Sequence, residues 1–145
     1  MKSRTLLVVS ALVAATGALA HQGVNNTVVK ARMDSMSEIA ENIKILGNMA
    51  KGTDKFDAES ARTAAGVIAD EAAKTAVNFE AQETDPKSEA KTEIWDNFED
   101  FSRKANELER VALGYSSSIT NLDELRAAMG TLGETCKSCH SVYRK

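Results

Sequence analysis

Cys136, Cys139 and His140 are the residues of this chain whose types and spacing could do chemistry. Two thiols three positions apart, followed at once by an imidazole, make the pattern that attaches a c-type haem. In that chemistry each thiol adds to a haem vinyl group as a thioether, and the imidazole binds the iron. On a helix all three side chains share a face, because positions i, i+3 and i+4 are neighbours there. Other readings of the thiols stay open at this point: a local disulfide, a redox-active pair or a zinc site. The redox pair needs a βαβ context, and zinc needs four ligands. The only other histidine, His21, lies near the opposite end of the chain. It would be the first residue after a cleaved leader, either a metal chelate with its own α-amine or part of a disordered terminus.

The elements that must position these residues read as helices almost throughout. No run of alternating β-branched residues between turns suggests a strand, and Pro86 is the single proline. A first helix is expected from about Asn26 to Ala50, with Val29, Met36, Ile39, Ala40, Ile43, Leu46 and Ala50 stepping by three and four. Gly52 suits a left-handed cap after it, and Asp57 suits the N-cap of a second helix over about Ala58 to Phe79. That helix is alanine-rich on one stripe, which lets a neighbour come close or leaves room for something large. Asp85-Pro86 reads as the start of a third helix from about Lys87 to Leu113, with proline at its first position. Ile94, Phe98, Phe101, Ala105, Leu108 and Ala112 are its stripe, and Gly114 its stop. Thr120 and Asp123 suit the cap of a fourth helix. Its stripe runs from Leu122 through Leu125, Met129 and Leu132 to Cys136, Cys139 and Tyr143, so both thiols stay in phase with the inner face. Gly130 and Gly133 weaken this helix by about 1 kcal/mol each relative to alanine. Close approach of a haem plane, or a kink, would account for them. Four amphipathic helices with short connections make an all-α fold, an antiparallel four-helix bundle.

Residues 1–20 read as a cleaved secretory leader: Lys2 and Arg4, an apolar Leu6 to Val13, then Ala18-Leu19-Ala20 as the cleavage signal. The domain is then 21–145. The leader holds two basic residues and no acids, so its removal takes the formal net charge from −3 to −5. That acidity argues against a nucleic-acid partner. No later segment resembles a transmembrane span, and two cysteines exclude a multi-disulfide scaffold.

Several stretches together resemble the class II c-type cytochromes, the cytochrome c′ family with its low-spin, Met-ligated relatives. Arg32-Met33-Asp34-Ser35-Met36 resembles the family's first-helix segment, and Leu46-Gly47 to Lys51-Gly52 then Phe56-Asp57 its end and loop. Ile94-Trp95 with Phe101 resembles the third helix, and Cys136-Lys137-Ser138-Cys139-His140 with Tyr143-Arg144-Lys145 the haem-binding end. The resemblance covers essentially the whole mature chain. It implies one covalent haem c held by thioethers at Cys136 and Cys139, with His140 as proximal ligand and Met36 at the distal position. It also implies Arg32 near a propionate, Arg144 near the proximal histidine, and Trp95 and Phe101 as pocket walls. Met33, one turn from Met36, is the competing sulfur, and a methionine on an inner stripe can equally be core filling.

The function expected is single-electron transfer in the periplasm, with redox proteins as partners and no enzymatic activity. The alternative is a five-coordinate haem protein that binds nitric oxide or carbon monoxide, with Met36 packed above the iron. A haem-free helical module is the third reading. Homodimerisation is carried over by the resemblance alone.

Overall fold

The structure, a computed structural model, describes residues 23–145. The expected leader and His21 lie outside the described residues. Four long helices, α1 (Thr27–Lys51), α2 (Ala58–Asn78), α4 (Phe98–Ser118) and α5 (Leu122–Tyr143), are joined by short connections and one turn of helix, α3 (Glu93–Asp96). They form a closed ring in which α1 packs on α2, α2 on α4, α4 on α5 and α5 on α1. The two interfaces of α2 are the most extensive, and that between α1 and α5 is the sparsest of the ring. This is the four-helix bundle that the periodicity calls for.

The ends of α1 and α2 follow from local chemistry. The Asn26 side chain accepts from the Val28 and Val29 amides at 3.0 Å each, which satisfies two otherwise orphaned donors. Gly52 closes α1 at φ 77°, a conformation glycine adopts without steric penalty. Asp57 caps α2 by accepting from the Ser60 amide at 2.7 Å. The alanines of α2 serve close helix approach: Ala61, Ala64, Ala65, Ala69 and Ala72 are all buried. Around them Leu46, Ile68, Ile119, Leu125 and Leu132 are fully enclosed, each stabilising by about 2–3 kcal/mol relative to exposure.

The expected third helix is corrected. Residues 87–92 are not helical, Pro86 sits in a turn, and only Glu93–Asp96 coil before α4 begins at Phe98. Asp85 binds the Lys87 amide at 2.9 Å through its side chain, a local turn that competes with helix initiation. Residues 89–91 are then drawn into pairing with the C-terminus, described below. Glu99 and Asp100 in the first turn of α4 complement its dipole. Gly114 does not stop α4, which runs on to Ser118 and ends as the chain enters the buried Ile119. The α5 cap is Asn121 rather than Thr120, accepting from Asp123 and Glu124 amides at 3.1 and 3.0 Å. Thr120 instead donates through its amide and hydroxyl to Glu124, at 2.7 and 2.8 Å.

The inner face of α1 is also turned from the expected one. Ala40 is exposed, while Arg32, Ser35 and Asn42 are buried with Val29, Ile39, Leu46 and Met49. Polar partners make this possible: Ser35 donates to the Glu71 carboxylate at 2.8 Å, and Asn42 donates to the Glu38 carbonyl at 2.9 Å. Met36 and Ile43 flank that face, half-buried against the main core.

Candidate haem site

The C-terminal half of α5 carries the thiols. Cys136 and Cys139 are both free and half-buried, and α5 is continuous through them. Burial pushes both thiols up from their ordinary range, and for Cys139 the nearby Lys104 ammonium opposes that shift. A redox-active pair needs the opposite, a thiol lowered toward thiolate. A zinc site lacks support too, since among the described residues no group of three or more His, Cys, Asp and Glu could hold a metal ion. His140, exposed in the last turn, has its imidazole pushed down by partial burial first and then by the Arg144 charge, with Glu89 opposing. That shift favours the neutral ring, the form that offers a lone pair to a metal.

A second, smaller core lies at this end of the bundle, with Phe79, Ile94, Phe101 and Tyr143 at its centre and Cys139, Ala90, Trp95 and Phe98 packed against it. Phe101 meets Phe79 at 4.9 Å between centroids and Tyr143 edge-on at 5.4 Å and 89°. Trp95 donates from Nε1 to the Phe79 carbonyl at 2.8 Å. Trp95 and Phe101, singled out from the sequence, thus share one cluster with Cys139. Tyr143 donates its hydroxyl to Asp100 at 2.7 Å. Burial, then that bond, push its phenol up to about 12, while the same bond holds the Asp100 carboxyl low.

The two arginines have firm protein partners. Arg32 is 3% exposed. Its Nε donates to the Asn78 carbonyl and one terminal nitrogen to the Glu83 carbonyl, both at 2.8 Å; the other donates to the Ala81 carbonyl. The guanidinium lies 4.3 Å above the Phe79 ring and 5.7 Å from that of Trp95. Burial lowers its pKa, with Glu83 opposing. Arg144 is exposed and pairs with Glu89, through Nε at 2.6 Å and a terminal nitrogen at 2.5 Å. On α1, Met36 packs against the main core while Met33 is half-buried beside it.

The sequence reading missed Phe79, Asp100, Lys104 and Glu89. Phe79 ended a recognised stripe and could have been included. The other three are charged residues on ordinary helix or loop positions, and no local signal marks them.

These residues fit a covalently held haem. Two free thiols and an imidazole occupy one face of α5, as thioether formation and axial ligation require. The α5–α1 interface is the sparsest of the ring. A half-buried thioether, Met36, stands on the neighbouring helix.

A family model described as Cytochrome C′ matches residues 27–144. The chain belongs to that family. Cytochrome c-556 of Agrobacterium tumefaciens (strain apple 185) is 32% identical over 118 residues, covering 79% of this chain and 91% of that protein. Among solved structures, cytochrome c′ from Rhodopseudomonas palustris superposes with a TM-score of 0.77 at 27% identity, covering 83% of this chain and 97% of that one. A nitric oxide complex of a mutant cytochrome c prime from Alcaligenes xylosoxidans superposes at 0.71 with 26% identity, covering 81% and 94%. The chain is thus a haem protein of the cytochrome c′ family with covalently attached haem c. Among the described residues no helix is long and apolar enough to cross a membrane.

Proposed function

We propose that this protein carries single electrons in the periplasm, after removal of residues 1–20, and that it is not an enzyme. The haem supplies a one-electron Fe(III)/Fe(II) couple. Cys136 and Cys139 would tether it, His140 would offer its imidazole from α5, and Met36 would offer its thioether from α1. A thioether donor favours the ferrous state relative to a harder ligand. The second core around Phe79, Phe101 and Tyr143 lowers the dielectric beside Cys139, which limits reorganisation as the charge changes. Periplasmic redox proteins are the partners in this reading, and a homodimer is the assembly that family membership points to.

The observation that carries it is the placement of both thiols and His140 on α5, with Met36 half-buried on the adjacent α1. Absorption spectra of the haem-loaded protein test it. A six-coordinate, low-spin ferric spectrum, with a ferrous form that takes carbon monoxide only slowly, is expected. Met36→Ala, but not Met33→Ala, should convert that spectrum to high spin. A high-spin wild type that takes carbon monoxide readily would instead favour a diatomic-gas-binding protein. The nitric oxide complex of the Alcaligenes relative is what keeps that second reading. A mass equal to the bare polypeptide from His21 onward would sink both.

A further inference from the structure

The connection between α2 and α4 is tied at both ends to the helices that carry the candidate axial ligands. Toward α1, Asp85 accepts from the Asn25 and Asn26 amides at 3.1 and 3.3 Å, just before the helix begins. The buried guanidinium of Arg32, one turn before Met36, holds the carbonyls of Asn78, Ala81 and Glu83. Toward α5, Ala90 and Arg144 form an antiparallel bridge, the only isolated one among the described residues. The Lys91 amide donates to the Tyr143 carbonyl at 2.9 Å, and the Lys145 amide to the Glu89 carbonyl at 2.8 Å. The Glu89–Arg144 ion pair closes the same contact, and the Arg144 amide in turn donates to the His140 carbonyl at 3.1 Å. A terminal segment ordinarily frays; this one is fixed by backbone and side chain together.

We propose that residues 79–92 act as a strap that fixes the spacing between Met36 on α1 and His140 on α5, with Asp85 and Glu89 as its positioning residues. This rests on the ligand assignment above and goes beyond it. The α1–α5 interface is the sparsest of the ring, so the strap adds a second tie between the two helices and helps set how firmly the α1 sulfur is pressed toward the iron.

The test uses the haem-loaded full-length protein and reads carbon monoxide association with the ferrous form, with covalent haem checked by mass. Asp85→Asn and Glu89→Gln should each speed association about two- to fivefold, the range expected from loosening one exposed tie. Glu107→Gln, which cuts a comparable α4 ion pair with Arg110, should leave the rate unchanged, separating spacing from general destabilisation. Rates for Asp85→Asn and Glu89→Gln that match the wild type, or that match a similar rise in Glu107→Gln, would overturn the strap. The wild-type spectrum alone judges the electron-carrier reading. If it is five-coordinate, the ratio of variant to wild-type rates still judges the strap, because Met36 would then be the side chain that gas must displace.

Discussion

Replacing Arg32 with methionine is the sharpest perturbation of this fold, because it removes a buried cation without changing side-chain length much. The Asn78 carbonyl is half-buried and would lose a charged donor, at about 2 kcal/mol. Ala81 and Glu83 belong to exposed residues whose carbonyls water can reach, so each is worth about 1 kcal/mol. Loss of the stack over Phe79 at 4.3 Å adds about 1 kcal/mol. Against this, methionine relieves the burial of a full charge, whose effective cost is about 2–3 kcal/mol at such a site. The balance is a destabilisation of roughly 2–3 kcal/mol. For a domain of this size that lowers Tm by roughly 6–12 °C. Arg32→Lys should recover less than half of it, since an ammonium cannot present a planar fork to three carbonyls. Urea unfolding of the haem-loaded protein, followed by circular dichroism with the m-value compared, gives the number. An unfolding free energy for Arg32→Met within about 0.5 kcal/mol of wild type would refute the reasoning, for that is how a solvated surface arginine behaves.

Other outcomes follow from single contacts. Tyr143→Phe removes the hydroxyl bonded to Asp100 and should cost about 1 kcal/mol in equilibrium unfolding. The folded phenol is raised from 10.0 to about 12, so its contribution is complete below pH 10 and is lost as pH climbs through 12. Tyr143→Phe should abolish that component in unfolding measured across this range. Gly114→Ala, in the interior of α4 with nothing within 4 Å of the added carbon, should stabilise by about 1 kcal/mol in the same assay. Asn121→Ala strips two amides at the start of α5 of their acceptor and should destabilise by about 1 kcal/mol.

Much of the architecture was legible because it is local. Gly52, Asp57 and the alternation of threes and fours carry their own stereochemistry, and they place α1 and α2 nearly to the residue. The pattern Cys136–Cys139–His140 likewise needs only its spacing on a helix. What could not be read depends on residues far apart in the chain. Residues 87–92 have acceptable helix propensity, yet they uncoil because Glu89 and Lys91 pair with Lys145 and Tyr143. Arg32, Ser35 and Asn42 lie off the apolar stripe, which cannot reveal that Asn78, Ala81 and Glu83 supply partners for Arg32 and Glu71 for Ser35. Gly114 failed as a stop because tertiary packing of α4 on α2 outweighs a propensity penalty of about 1 kcal/mol.

The unequal ring of interfaces has a consequence for how the protein opens. The contacts of α2 with α1 and α4 bind three helices into one cooperative unit, whereas α5 shares less surface with its two neighbours. Release of α5 should then cost less than release of α2, and its amides should exchange with solvent faster than those of α2. A group bonded covalently to that helix and ligated from α1 would stitch the loosest member to the rest. Attachment would convert α5 from the first element to open into one that opens only with the whole domain.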